Sequence, residues 1–203
     1  MFDGVARRLI DPPLEALARR LAAARVGADA MSLAALACGI AAAASIGLGW
    51  PPIVSIGFIA LGRLGDGLDG ALARQSGASS DFGGFIDIVF DFIFYGAVPL
   101  AFAFRDPGAN ALAAAALLFT FYANGASFLA FAIVAAKRGL ATNVRGAKSL
   151  YFTTGLAEGT ETIAVFVAMC VWPGLFPQLS FGFAAACAIT AASRIVLALR
   201  TFR

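Results

Sequence analysis

Residues 65–91 read GDGLDGALARQSGASSDFGGFIDIVFD, and they set Asp66, Asp69, Asp87 and Asp91 into a chain that is 61% hydrophobic and 13% charged. A soluble domain carries about twice that charged share. The mean hydropathy is +0.86, and several apolar runs approach the roughly 20 residues that cross a bilayer. The composition is that of an integral membrane protein. Carboxylates inside such segments are costly to keep, so four of them together point to a working site.

Outward from this stretch, six membrane spans are expected at about 30–49, 52–74, 82–104, 109–136, 149–172 and 176–200. Turn signals part them: Gly-Trp-Pro-Pro at 49–52, Ser-Gly-Ala-Ser-Ser at 76–80, Asp-Pro-Gly at 106–108 and Trp-Pro-Gly at 172–174. The expected fold is all-α and integral to the membrane, one domain over 1–203, with a six-helix bundle over 30–200. Residues 1–29 lack the basic-then-apolar order of a signal peptide. From Pro12 on, Leu and Ala recur at helical spacing with Arg19, Arg20 and Arg25 between them. This predicts an amphipathic juxtamembrane helix at the membrane surface, with a plain solvated helix as the alternative.

Basic residues fall on alternate connections. The N-terminal segment holds five Arg, the second connection Arg74, the fourth Lys137, Arg138, Arg145 and Lys148, and the tail Arg200 and Arg203. That alternation predicts a multi-pass protein of the cell (inner) membrane with both termini cytoplasmic. The net charge of +3 then reflects orientation and contact with anionic membrane lipids, and no nucleic-acid partner is expected. Cys38, Cys170 and Cys187 all lie in apolar runs and read as small buried hydrophobes. The absence of histidine excludes His-ligated metals and His-based acid–base catalysis.

Asp66 and Asp69 are three apart and Asp87 and Asp91 four apart, so each pair shares one helix face. The first pair lies near the end of one span and the second near the start of the next, so the four can meet at the cytoplasmic side. Together in low dielectric they repel unless cations neutralise them. Oxygen-preferring divalent ions, Mg²⁺ or Mn²⁺, meet that need, and a two-ion site of this kind serves phosphoryl chemistry. Gly65, Gly67, Gly70, Ala71 and Ala73 crowd the first pair, which permits either close ligand approach or tight helix packing. Arg63 and Arg74 bracket it and suit phosphate oxygens.

The arrangement Asp66-x-x-Asp69-Gly70-x-x-Ala73-Arg74, eight residues, Gly83-x-x-x-Asp87-x-x-x-Asp91 resembles the signature of the CDP-alcohol phosphotransferase (phosphatidyltransferase) family at every fixed position, and the Gly155–Ile163 stretch, with its Glu-Gly-Thr-Glu-Thr, resembles a less-characterised bacterial branch of that family. The resemblance implies transfer of a substituted phosphate from a CDP-linked donor, usually CDP-diacylglycerol, to an alcohol with release of CMP, in phospholipid biosynthesis. It implies two Mg²⁺ or Mn²⁺ ions on Asp66, Asp69 and Asp87 with help from Asp91, which is also the implied general base. Gly70, Ala73 and Arg74 are implied to line the nucleotide pocket, Gly83 to keep two helices close, and the chain to form a homodimer. The family's frequent Pro-Asn pair is replaced by the stretch around Asp29. Asp29 replaces the Asn as an acceptor only, or else Asp29 or Ser32 is a helix N-cap.

For the acceptor, Glu158 and Glu161 form a second intramembrane carboxylate pair, and Arg194 in the sixth span suits either their charge or a phosphate. Lys148 and Arg145 stand near the mouth of the fifth span and fit an acceptor phosphate or a topology signal. The cations favour a phosphorylated polyol; the glutamates favour an amine or polyol. Asn124 and Ser127 read as helix-contact residues. The rival reading is a small cation- or proton-coupled transporter, for which an internal repeat would be expected.

Overall fold

Proline and capping residues set the element boundaries. In the computed structural model, which describes residues 3–77, 80–140 and 156–203, Pro52 opens α3 (Pro52–Ser76) at a position where no helical N–H is needed. Gly77, with φ of +65°, closes α3 in the left-handed conformation that a side chain would oppose. Ser80 then caps α4 (Asp81–Arg105), its hydroxyl accepting from the Gly83 N–H at 2.9 Å. Asp106 caps α5 (Pro107–Lys137) by accepting from the Ala109 N–H at 3.1 Å, with Pro107 in the first turn. Before these run α1 (Asp3–Ala23) and α2 (Ala28–Gly47). After them come α6 (Gly159–Val171), a 3₁₀ turn (Pro173–Leu175) and α7 (Phe176–Phe202). Among the described residues all regular structure is helical.

Among the described residues four helices, α2, α4, α5 and the segment containing α7, are long and apolar enough to cross a membrane. Helix α3 has the length, at 25 residues, but carries Arg63, Asp66, Asp69 and Arg74. The span expected at 149–172 is helical from Gly159, and 149–155 lie outside the described residues. Residues 156–158, just before α6, are held by a contact distant in sequence. The Leu156 and Ala157 N–H groups donate to the Thr190 hydroxyl on α7, at 3.0 and 3.2 Å, which ties this segment to α7.

The core gathers around aromatic contacts between α4, α5, α6 and α7. Phe102 stacks on Phe176 with centroids 4.4 Å apart, and Phe94 meets Phe166 edge-on at 5.8 Å. Such pairs contribute about 0.5–1.5 kcal/mol each beyond area burial. Cys170 and Cys187 lie buried in this core as free thiols. The outer surface is apolar: Ile53, Phe104, Leu112, Phe119 and Ile133 are each more than two-thirds exposed, as side chains facing hydrocarbon are. Helix α1 buries Leu14 and Ala18, one turn apart, against Leu68, Ala71 and Leu72 of α3.

Helix α2 packs closely on α3 because small residues meet there. A Cβ placed on Gly65 would lie 3.0 Å from the Ala35 Cβ of α2, while one on Gly67 would lie 2.8 Å from Leu14 of α1, so α3 is closely approached from both sides. Gly65 and Gly67 therefore serve helix packing. The ends of α5 and α7 come together where Arg138 donates to the Phe202 carbonyl at 2.7 Å. Gln75, at the end of α3, likewise donates to the Glu15 carbonyl on α1 at 3.0 Å.

Candidate active site

Asp66 and Asp69 share one face of α3, and the antiparallel α4 brings Asp87 opposite them. One carboxylate oxygen from each of the three lies within 4.8 Å of the others. Asp69 is buried, Asp66 half-buried and Asp87 exposed, so the group is rooted in the helix pair and open at one side. Asp91 lines the same small cleft, together with Ser32, Arg63 and Phe94. The meeting of the four aspartates expected from their spacing is thus present. An all-oxygen donor set of clustered carboxylates fits a hard divalent ion such as Mg²⁺ or Mn²⁺, which would offset their mutual repulsion.

Two partners of this cluster were not foreseen from the sequence. Ser32, on α2, donates its hydroxyl to Asp69 Oδ2 at 2.5 Å, which orients a buried carboxylate from a third helix. Arg63 donates to Asp91 Oδ1 at 2.9 Å and to Asp66 Oδ2 at 3.5 Å. Its guanidinium lies over the Phe94 ring, 5.0 Å from the centroid. Arg63 was expected to meet phosphate oxygens; its bonds here run to the aspartates themselves. No local signal links Ser32 to a residue 37 positions away, or Arg63 to one 28 positions away.

The residues expected at the nucleotide lie on the turns of α3 that follow Asp69 and in the first turn of α2. Arg74 folds back along α3, so that a Cβ on Gly70 would lie 3.4 Å from its Nη1. Arg74 is exposed and lines, with Arg19, Glu15 and Gln75, a groove between α1 and α3. Ala73 is half-buried on the same turn. Neither Asp29 nor Ser32 caps α2: Gly27 holds that position in an extended conformation. Asp29 is exposed in the first turn, its Oδ1 3.9 Å from a Cβ placed on Gly83. The same Cβ would sit 3.2 Å from the Ser80 hydroxyl, so Gly83 is hemmed in first by its own helix cap.

Glu158 stands at the N-terminal end of α6 and Glu161 in its first turn. Tyr95, one turn beyond Asp91 on α4, brings its hydroxyl to 3.6 Å from a Cβ placed on Gly159. The start of α6, which carries the glutamates, therefore lies beside Tyr95 of α4. Arg194 donates from Nη1 to the Asn124 carbonyl at 3.0 Å, to Asn124 Oδ1 at 2.9 Å and to the Ser127 hydroxyl at 2.7 Å. Asn124 and Ser127 do join helices, and they do so by holding Arg194. Glu158 lies within electrostatic range of Arg194. Arg145 and Lys148 lie outside the described residues.

The chain is similar to known proteins in sequence and in fold. The chain is 42% identical over 195 residues to the inner membrane protein YnjF of Escherichia coli (strain K12), covering 96% of this chain and 94% of that one. Its fold is similar to that of Mycobacterium tuberculosis phosphatidylinositol phosphate synthase (PgsA1). The structure of that protein with CDP-DAG bound gives a TM-score of 0.69 at 22% identity, over 90% of this chain and 91% of that one. Its complex with manganese and citrate gives 0.70 at 22% identity, over 90% and 87%. The pattern of the CDP-alcohol phosphatidyltransferase family matches residues 25–199, a stretch that takes in α2, all four aspartates and Arg194. The chain belongs to the CDP-alcohol phosphatidyltransferase family.

Proposed function

We propose that this protein is a metal-dependent transferase of phospholipid biosynthesis. It moves a phosphatidyl group from CDP-diacylglycerol to an alcohol and releases CMP. The observation that carries the reading is the convergence of three carboxylates from two helices within 4.8 Å, in a chain of this family. Asp66, Asp69 and Asp87 hold Mg²⁺ or Mn²⁺. Divalent ions held by these carboxylates would supply the charge that neutralises a diphosphate and eases departure of the nucleotide.

The chain's own groups do the rest. Gly70, Ala73 and Arg74 receive the nucleotide, with Arg74 supplying charge and Asp29 an acceptor at the mouth. Asp91 takes the proton of the acceptor hydroxyl as its oxygen bonds to phosphorus; a carboxylate has lone pairs enough for this beside one bond from Arg63. The phosphorus–oxygen bond to CMP breaks, and CMP leaves with that electron pair.

Acceptor recognition falls to the region beyond Asp91. Glu158, Glu161 and Arg194 stand there, with Lys148 and Arg145 as further candidates. A guanidinium already gripped by Asn124 and Ser127 is pre-positioned for an acceptor phosphate, which favours a phosphorylated polyol. The protein is read as a single domain with six spans, α1 on the membrane surface, both termini cytoplasmic, and two copies forming a homodimer.

The test is an acceptor screen with purified protein, CDP-diacylglycerol and Mn²⁺ or Mg²⁺. Glycerol 3-phosphate, inositol phosphate, inositol, serine, choline and phosphatidylglycerol are supplied in turn, with lipid products read by mass spectrometry. One acceptor should yield a new phospholipid and CMP, and Asp66→Ala, Asp69→Ala, Asp87→Ala and Asp91→Ala should each nearly abolish both. Undiminished turnover in those variants refutes the mechanism.

A further inference from the structure

The four carboxylates are not equivalent. Three lie within 4.8 Å of one another and form a compact donor set. The fourth, Asp91, is held by Arg63 through a 2.9 Å charge-assisted bond, and the same Nη1 reaches Asp66 at 3.5 Å. The guanidinium thus sits between the donor set and Asp91, where a second cation shared by Asp66 and Asp91 would have to go.

Its position is fixed from below. The guanidinium rests on the Phe94 ring, 5.0 Å from the centroid. That ring is 2% exposed, and Gly39 of α2 leaves it room: a Cβ there would lie 2.8 Å from Phe94 Cδ2. Arg63 Nε is buried and has no hydrogen-bond partner among the described residues. A side chain that stacks on a locked ring and gives its donors to two carboxylates is built into the site.

We propose that Arg63 is a resident counter-ion, a positioning residue that stands in for the second divalent ion. The substrate-free protein then binds one ion tightly on Asp66, Asp69 and Asp87, and a second only weakly, because it must displace Arg63 from Asp91. This rests on the metal reading above, but on its ion count and not on its chemistry. Loss of the guanidinium removes a like charge within a few ångströms of the second ion and frees Asp91 as a ligand, which raises affinity there steeply.

The experiment counts Mn²⁺ bound to the detergent-solubilised full chain, by electron paramagnetic resonance of free Mn²⁺ during titration, without donor or acceptor. Wild type should bind one Mn²⁺ tightly and a second at least about tenfold more weakly. Arg63→Gln should tighten the second ion by about tenfold or more and leave the first nearly unchanged. Arg63→Lys, which keeps the charge, should stay near wild type, and melting curves of the three proteins identify any variant that has lost its fold.

Two equally tight ions in wild type overturn the proposal. So does a second ion unaffected by Arg63→Gln in a folded protein, or an Arg63→Lys protein that binds like Arg63→Gln. Any of these leaves the transferase reading intact if Asp66→Ala still abolishes CMP release. Should Arg63→Gln not fold, the wild-type ratio and the Arg63→Lys titration decide.

Discussion

Replacing Gly65 with alanine adds one methyl group where α2 and α3 meet, one residue before Asp66. The new Cβ would lie 3.0 Å from the Ala35 Cβ and 3.3 Å from the Ala35 Cα. Carbon atoms rest at about 3.5–4.0 Å, and the Ala35 Cα is main chain that no rotamer can move aside. Helix α2 must therefore withdraw by about half an ångström. Overpacking of this kind costs about 1–3 kcal/mol, set against about 0.5–1 kcal/mol gained when a helical glycine becomes alanine.

Gly57→Ala on the same helix isolates the first quantity, since a Cβ there meets nothing within 4 Å and gains the same backbone preference. The difference between the two variants is thus about 1–3 kcal/mol, or about 2–12 °C in midpoint for a chain of this size. The withdrawal also stretches the 2.5 Å bond from Ser32 on α2 to Asp69 on α3, so Mn²⁺ affinity should fall about tenfold in Gly65→Ala and hold in Gly57→Ala. Thermal unfolding in detergent and Mn²⁺ titration read both effects. If Gly65→Ala melts with Gly57→Ala and binds Mn²⁺ like wild type, the helix contact does not hold the site and the reasoning is wrong.

Other expectations follow from single contacts. Ser32→Ala should weaken Mn²⁺ binding about 10–100-fold, because Asp69 loses the hydroxyl that orients it; the same titration checks this. Arg194→Gln loses charged hydrogen bonds to Asn124 and Ser127, each costing about 1.5–3 kcal/mol. It should lower the melting midpoint and, with a phosphorylated acceptor, raise the acceptor KM more than it lowers kcat. Chelation with EDTA should stop CMP release, and excess Mn²⁺ or Mg²⁺ should restore it.

The sequence carried the parts of this molecule that local chemistry decides. Ser80 and Asp106 cap helices within three residues of themselves, so the starts of α4 and α5 were readable from turn residues alone. The pairing of Asp66 and Asp69 with Asp87 followed from helical spacing and one short connection. Contacts made by tertiary packing were not readable. Ser32 looks like a cap for α2, yet Gly27 takes that position and the hydroxyl turns to α3. Arg63 looks like a phosphate ligand, yet α4 offers Asp91 first. The bend at 156–157 ahead of α6 was unreadable for the same reason, since Thr190, more than 30 residues on, takes the N–H groups of Leu156 and Ala157.

The central claim is that three aspartates from two helices form a seat for a divalent ion. Crystals soaked in Mn²⁺ and measured at the manganese absorption edge test it most directly. An anomalous peak within bonding distance of Asp66, Asp69 and Asp87, lost in Asp69→Asn, is the result expected. A well-ordered map with those side chains in place and no peak among them, or manganese bound elsewhere, contradicts it.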